Sequence, residues 1–255
     1  MIDTSKINNL IDLREQPLSN IDLSQTQKTI ILLQSVDGQM DINIQENAAI
    51  DLTIIFLQDK QNNKKFDINF NLKKYAQLKL YIANLGDYNC DDNITVNLNE
   101  ENSGVQYYSA SILNQTLKKN SVITVRHLQR ATTSDIKAYE VLKNKSQGFI
   151  RCVSDIRHGS SSSEAHQELR LLVLDKEAKA DSDPVLLIDE NDIVASHANA
   201  IGMLDPDQVF YLSSRGLKKE QAEELIVNGY FEPIFLNFEN EYLETEMKKM
   251  LKGMI

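Results

Sequence analysis

A chain of 255 residues, 42% hydrophobic and 25% charged, has the composition of an ordinary folded protein and enough length for a substantial core. Its formal net charge of -10 argues against a phosphate backbone as a general partner, so no nucleic-acid role is expected. Two distant cysteines, Cys90 and Cys152, cannot frame a disulfide scaffold and form no C-x-x-C pair, which favours a reducing compartment.

The N-terminal "MIDTSKINNLIDLREQ" shows no basic region followed by an apolar run, so no secretory signal is expected. The longest strongly apolar run, Leu52 to Leu57, is far too short to span a membrane. The expectation is a soluble, cytoplasmic protein with no membrane partner.

From Ile21 to His197 the hydrophobic pattern has period two. Met40, Ile42 and Ile44 share one face, as do Ile50, Leu52, Ile54 and Phe56. Phe66, Ile68, Phe70 and Leu72 follow, then Leu78, Leu80 and Ile82, then Ile94, Val96 and Leu98. Such alternation predicts strands with one buried face. Turn-formers separate them in "SVDGQ", "QDKQNNKK", "NLGDYNCDDN" and "ENSGV". Strands at intervals of roughly ten residues suit a sandwich, a barrel or a solenoid. With only 9 glycines and 4 prolines, asparagine and aspartate must make many turns, and a stacked solenoid accommodates asparagine at successive corners. No strict repeat is visible, so periodicity leaves the choice open.

The pattern changes at Leu204. In "LDPDQV", Asp205 suits an N-cap, Pro206 the first helical position and Gln208 the third, with Leu204 and Val209 placed as a hydrophobic staple. This helix is expected to stop at Gly216, a second to end near Gly229, and a third to run from beyond Pro233 to near Gly253. In the third, Phe235, Phe238, Tyr242 and Met250 suit one apolar stripe. The predicted organisation is a β body with a short N-terminal segment over 1–204 and a helical region over 205–255.

The four histidines, His127, His158, His166 and His197, show no zinc-type spacing. Taken alone, His197 reads as a structural histidine. "HGSSSSEAH" (158–166) reads as a flexible polar loop, since no G-x-S-x-G elbow frames its serines. Asp181, Asp183, Asp189 and Asp192 suggest paired carboxylates or a calcium site, but solvated turns account for them more simply. Neither a P-loop nor G-x-G-x-x-G is present. The residues favour a scaffold or binding role over an enzyme, with a polysaccharide-active enzyme as the lesser alternative.

The stretch from Ser163 to Phe235 resembles the core of the SufB/SufD family, the paired scaffold subunits of the iron–sulfur cluster assembly (SUF) machinery. Its specific part is "SHANAIGMLDPDQVFYLSSRGL" (196–217), with "IGMLD" and "FYLSSRG" in the family's order. The resemblance implies a right-handed parallel β-helix followed by a C-terminal helical domain. It implies pairing through the β-helices with a SufB-like subunit or a second copy, and docking of a SufC-like ABC-type ATPase on the helical end. Phe235, Phe238 and Tyr242 are the expected docking residues.

The same resemblance places His197 at the family's Ser-His histidine on the SufD side. It thereby becomes a candidate ligand where a transient iron–sulfur cluster assembles between subunits, no stable cofactor being expected on this chain alone. Imidazole and a partner's thiolate are both competent iron ligands. This chain departs from the common Cys-Ser-His-Gly with Ala195 before Ser196 and Ala198 after His197, which removes one sulfur ligand. It is also short for the family, lacking most of the usual N-terminal helical region. A reduced SufD, a stand-alone relative and a homodimer are all compatible.

Overall fold

The computed structural model describes residues 2–16, 18–34, 37–59 and 63–255. The turns expected in "SVDGQ" and "QDKQNNKK" fall partly on residues 35–36 and 60–62, outside the described residues.

Among the described residues, a 3-10 turn at Thr4–Lys6 is followed by fifteen strands: β1 (Leu10–Asp12), β2 (Ile21–Leu23), β3 (Gln27–Leu33), β4 (Gly38–Ile44), β5 (Ala49–Phe56), β6 (Asn63–Leu72), β7 (Gln77–Asn84) and β8 (Asn89–Leu98). Next are β9 (Gly104–Leu113), β10 (Lys118–His127), β11 (Thr133–Leu142), β12 (Gln147–Ile156), β13 (Ser163–Val173), β14 (Lys179–Ile188) and β15 (Ile193–Met203). Three helices close the chain: α1 (Pro206–Ser214), α2 (Lys219–Leu236) and α3 (Glu241–Met254). Odd-numbered strands form one parallel sheet in chain order and even-numbered strands form another. The chain alternates between the two sheets, so it winds as a parallel β-solenoid with two strands per coil. "NLGDYNCDDN" is partly strand, since β8 begins at Asn89.

Alternation made the buried strand faces readable, though not the solenoid itself. Every residue assigned above to a buried strand face, from Met40 to Leu98, lies in one interior cluster between the sheets. No repeat was visible because coil length varies. Stacked partners stand 26 residues apart at Asn93 and Asp67, 29 at Asn120 and Asp91, and 31 at Asn144 and Asp175.

Asparagine serves the coils in two ways. At one corner, Asn47, Tyr75, Asn102, Ala131 and Ser162 hold left-handed backbone, with φ of 60°, 57°, 58°, 55° and 60°. Each donates its N–H to a carbonyl of the next coil, as Asn47 does to Lys74 and Asn102 to Arg130. On the outer face of the even-numbered sheet, amides stack into ladders. Asn97 Nδ2 donates to Asn71 Oδ1, Asn71 to Asn43, and Asn43 to Asp22. Arg126 Nη1 donates to Asn97 Oδ1 at the other end.

"HGSSSSEAH" is a corner and a strand start, not a flexible loop. Ser160 Oγ donates to His127 O, Ser162 Oγ to Asp192 Oδ2, and buried Ser163 Oγ accepts from the Thr132 N–H. These bonds satisfy backbone and side-chain groups that the corner buries.

The helices depart from expectation at one boundary. Asp205 does cap α1, accepting from the Asp207 N–H at 2.9 Å, and Gly216 is left-handed beyond its end at φ 94°. However, α2 runs through both Gly229 and Pro233 to Leu236, and α3 begins only after Asn240, whose side chain accepts from the Leu243 N–H. Packing overrides the breakers. Val227, Phe231, Ile234 and Phe235 of α2, with Leu243, Met247 and Leu251 of α3, share a second core with Leu32, Ile55, Ala83, Ile112 and Val141 on the outer face of the odd-numbered sheet. α2 and α3 thus pack their apolar sides onto the solenoid.

That packing corrects the expected docking stripe. Phe235 is 0% and Phe238 3% exposed, and their rings meet at a tilt of 40° with centroids 5.6 Å apart. Tyr242 is partly buried, and its hydroxyl accepts from the Asp3 N–H at 2.8 Å. These side chains hold the tail to its own sheet, and the exposed apolar residues lie elsewhere.

Candidate functional site

The last coil, β14 and β15, has no coil stacked beyond it among the described residues. β15 pairs with β13 on one side only, and β14 with β12 on one side only. Side chains that would face the interior elsewhere are therefore exposed here. Ile188 is 48%, Ile201 45% and Met203 55% exposed.

His197 belongs to this inward-facing row. It lies on β15 in register with Gln167 of β13, flanked by Ala195↔Ala165 and Asn199↔Leu169. Ala165, Gln167 and Leu169 are buried in the interior, so His197 is the next rung of an interior row, left open at the solenoid's end. Asn199 Oδ1 accepts from Ser182 Oγ at 2.8 Å and ties the two sheets of the last coil together. Gln167 crosses the interior, its Nε2 donating to Ser154 Oγ at 2.7 Å and to Val185 O at 3.1 Å. The imidazole is exposed and sits on a firm floor.

Ser196, the neighbour of His197, points the other way. Its hydroxyl lies 2.7 Å from His166 Nδ1 on the outer face of the sheet. Among the described residues no three His, Cys, Asp or Glu side chains converge as a metal site. His197 is thus a single nitrogen donor presented outward.

Neither cysteine joins it. Cys90 and Cys152 are buried and free. Burial raises the Cys152 thiol to about 12, so it stays protonated, and raises Cys90 as well. Deeper in the interior, Lys119 Nζ stands 3.6 Å from Asp92 Oδ2 and 3.4 Å from Glu140 Oε2. Burial lifts the Glu140 carboxyl above its ordinary range, and Gly148 leaves room for it, since a Cβ there would fall 1.7 Å from Glu140 Oε1.

The aspartates do not converge on a cleft. Asp181 and Asp183 lie on the outer face of β14, Asp183 paired with Arg151 at 3.5 Å, while Asp189 lies beyond the far end of the strand. This gives no support to acid–base chemistry on a polysaccharide. Sequence reasoning missed Gln167 as part of the site; its buried position became visible only once β13 and β15 were in register.

A family model described as "SUF system FeS cluster assembly, SufBD core domain" matches residues 18–230. The chain belongs to the SufB/SufD family. The match extends well upstream of Ser163, across most of the solenoid, where the sequence offered only alternation. The SufB/SufD relatives that the chain resembles include the iron–sulfur cluster assembly protein SufD of Bacillus subtilis, 36% identical over 137 residues, which are 54% of this chain and 30% of that protein. A SufBD family protein of Staphylococcus haemolyticus is 29% identical over 126 residues, covering 49% and 27%. One of Mycobacterium tuberculosis H37Rv is 27% identical over 126 residues, covering 49% and 15%. The matches therefore span under a third of these SufB/SufD relatives' own lengths. The SufD-like character rests on the Bacillus match. Among the described residues no helix is long and apolar enough to cross a membrane.

Proposed function

We propose that this SufD-like chain is a cytoplasmic scaffold subunit, not itself an enzyme, that pairs through the open end of its solenoid and helps to assemble an iron–sulfur cluster there. The cluster is cargo, and His197 offers it one nitrogen ligand. The observation that carries this reading is the place of His197: the Ser-His motif falls on the terminal strand, exposed among apolar side chains. A second chain seated on that end would cover Ile188, Ile201 and Met203 and bring its own donors to the imidazole. That chain is a SufB-like subunit or, since Ala195 replaces the usual cysteine, a second copy.

The helical segment, 205–255, takes the ABC-type ATPase. Because Phe235 and Phe238 are committed to the sheet, the docking surface lies on the other side of the tail. There Phe210, Tyr211, Leu225 and Leu236 are exposed, and a shallow groove between α1 and α2 is lined by Tyr211, Leu212, Leu225 and Ile226.

Tagged protein recovered from cells with a working SUF machinery tests the reading. An ABC-type ATPase and a β-solenoid partner are expected to accompany it, and His197→Ala is expected to lower cluster delivery without changing the protein's abundance. Persistent absence of the ATPase, or full delivery with His197→Ala, overturns the proposal; the latter outcome leaves a plain dimerisation module.

A further inference from the structure

Gln167 carries an unusual combination of order and incompleteness. Its side chain is 3% exposed, and Val185 O fixes which way the amide points, because a carbonyl accepts only from Nε2. Ser154 Oγ takes the second bond from the same nitrogen. Oε1 is thus oriented without ambiguity, yet it is a buried acceptor with no hydrogen-bond partner. Leaving such an acceptor unpaired is costly, so a donor within reach is drawn to it.

The side chain nearest by register is His197. Gln167 and His197 are direct partners on adjacent parallel strands and project from the same face. Strands in a sheet lie about 4.8 Å apart, which places the two side chains within reach of each other. An imidazole that ligates metal through one nitrogen uses the other N–H to bond an acceptor, which fixes tautomer and ring orientation.

We propose that Gln167 is the positioning residue of His197: its Oε1 takes one imidazole N–H, leaving the opposite ring nitrogen unprotonated and turned outward as the ligand. The bond is not made in this conformation, and a rotation of the exposed His197 side chain closes it. The inference rests on the role given to His197 above, but closing the bond requires neither a cluster nor a partner. The buried amide acts as the floor of the site, held from the opposite sheet by Ser154 and Val185. The arrangement selects one tautomer before any iron arrives.

Long-range 1H–15N correlation spectra of the histidine-labelled full chain test this, with the His197 signals assigned by their loss in His197→Ala. The wild type is expected to show His197 as one predominant neutral tautomer. Gln167→Met, similar in size but without an acceptor, is expected to return it to the mixture of an unrestrained imidazole. Ser154→Ala, which disturbs the same packing but keeps Oε1, is expected to preserve the wild-type pattern. A mixed tautomer in the wild type, or an unchanged one in Gln167→Met, overturns the proposal. If the tautomer responds as expected while His197→Ala leaves cluster delivery intact, the hydrogen bond stands and the role of His197 in assembly fails.

Discussion

At the scale of single residues, two imidazoles show how position decides use. His197 is open, and its sequence context pointed to it. His127 is sealed inside, with its ring nitrogens 2.8 Å from Thr132 Oγ1 and 2.9 Å from Ser134 Oγ. Burial holds His127 neutral, lowering its pKa to about 4. Between that value and the ordinary 6.5, the unfolded chain binds a proton that the folded chain refuses. The stability contributed by neutral His127 is therefore complete above about pH 6.5 and declines as the pH falls toward 4, by up to about 3 kcal/mol. Urea unfolding at a series of pH values, wild type against His127→Gln, is expected to show this loss only in the wild type. Parallel curves would refute it. The sequence singled out His197 by its motif but gave His127 no distinguishing mark, because neither burial nor the threonine and serine partners of His127 follow from local spacing.

At the scale of elements, the strands and the limits of α1 were legible, and the boundary between α2 and α3 was not. Period-two alternation states which side of a strand is buried whatever it packs against, so the faces from Met40 to Leu98 were readable. Breakers are a weaker signal. Pro233 removes the N–H that would bond Gly229 O and disfavours helix by about 3 kcal/mol. The helix persists because Phe231, Ile234 and Phe235 are all buried on the sheet, and no local pattern reveals that contact. The same contact misdirected the docking stripe, since an apolar face looks alike whether it meets a partner or its own chain. Phe235→Ala is expected to destabilise the folded chain by about 3–5 kcal/mol, read from the shift of the denaturant midpoint. A shift below about 1 kcal/mol would mean that the tail does not share the core described.

At the scale of the molecule, one end of the solenoid is unfinished. Unpaired strand edges invite pairing, and natural proteins blunt them with charge or cover. Here the edge strand β15 instead exposes Val194, Ile201 and Met203, and β14 exposes Leu187 and Ile188. Ile201→Lys is expected to shift the protein from paired species to monomer in analytical ultracentrifugation, with the far-ultraviolet circular dichroism unchanged. A wild type that remains monomeric at high concentration even when mixed with a SufB-like chain would rule out pairing through this end. Family membership was legible in the chain because the Ser-His motif and α1 lie on one continuous stretch. The floor beneath His197 was not, because Gln167 is brought to it only by a full turn of the coil.

The amide ladders have a mechanical consequence. Each rung joins only neighbouring coils, and the ladder from Asp22 to Arg126 keeps one direction of donation throughout. Such a stack shares load between nearest neighbours and not across the whole body. Stretched between its ends, the protein would yield as a zip does, releasing one winding at a time from the less fastened end. The lengths released would be uneven, because the windings themselves are uneven.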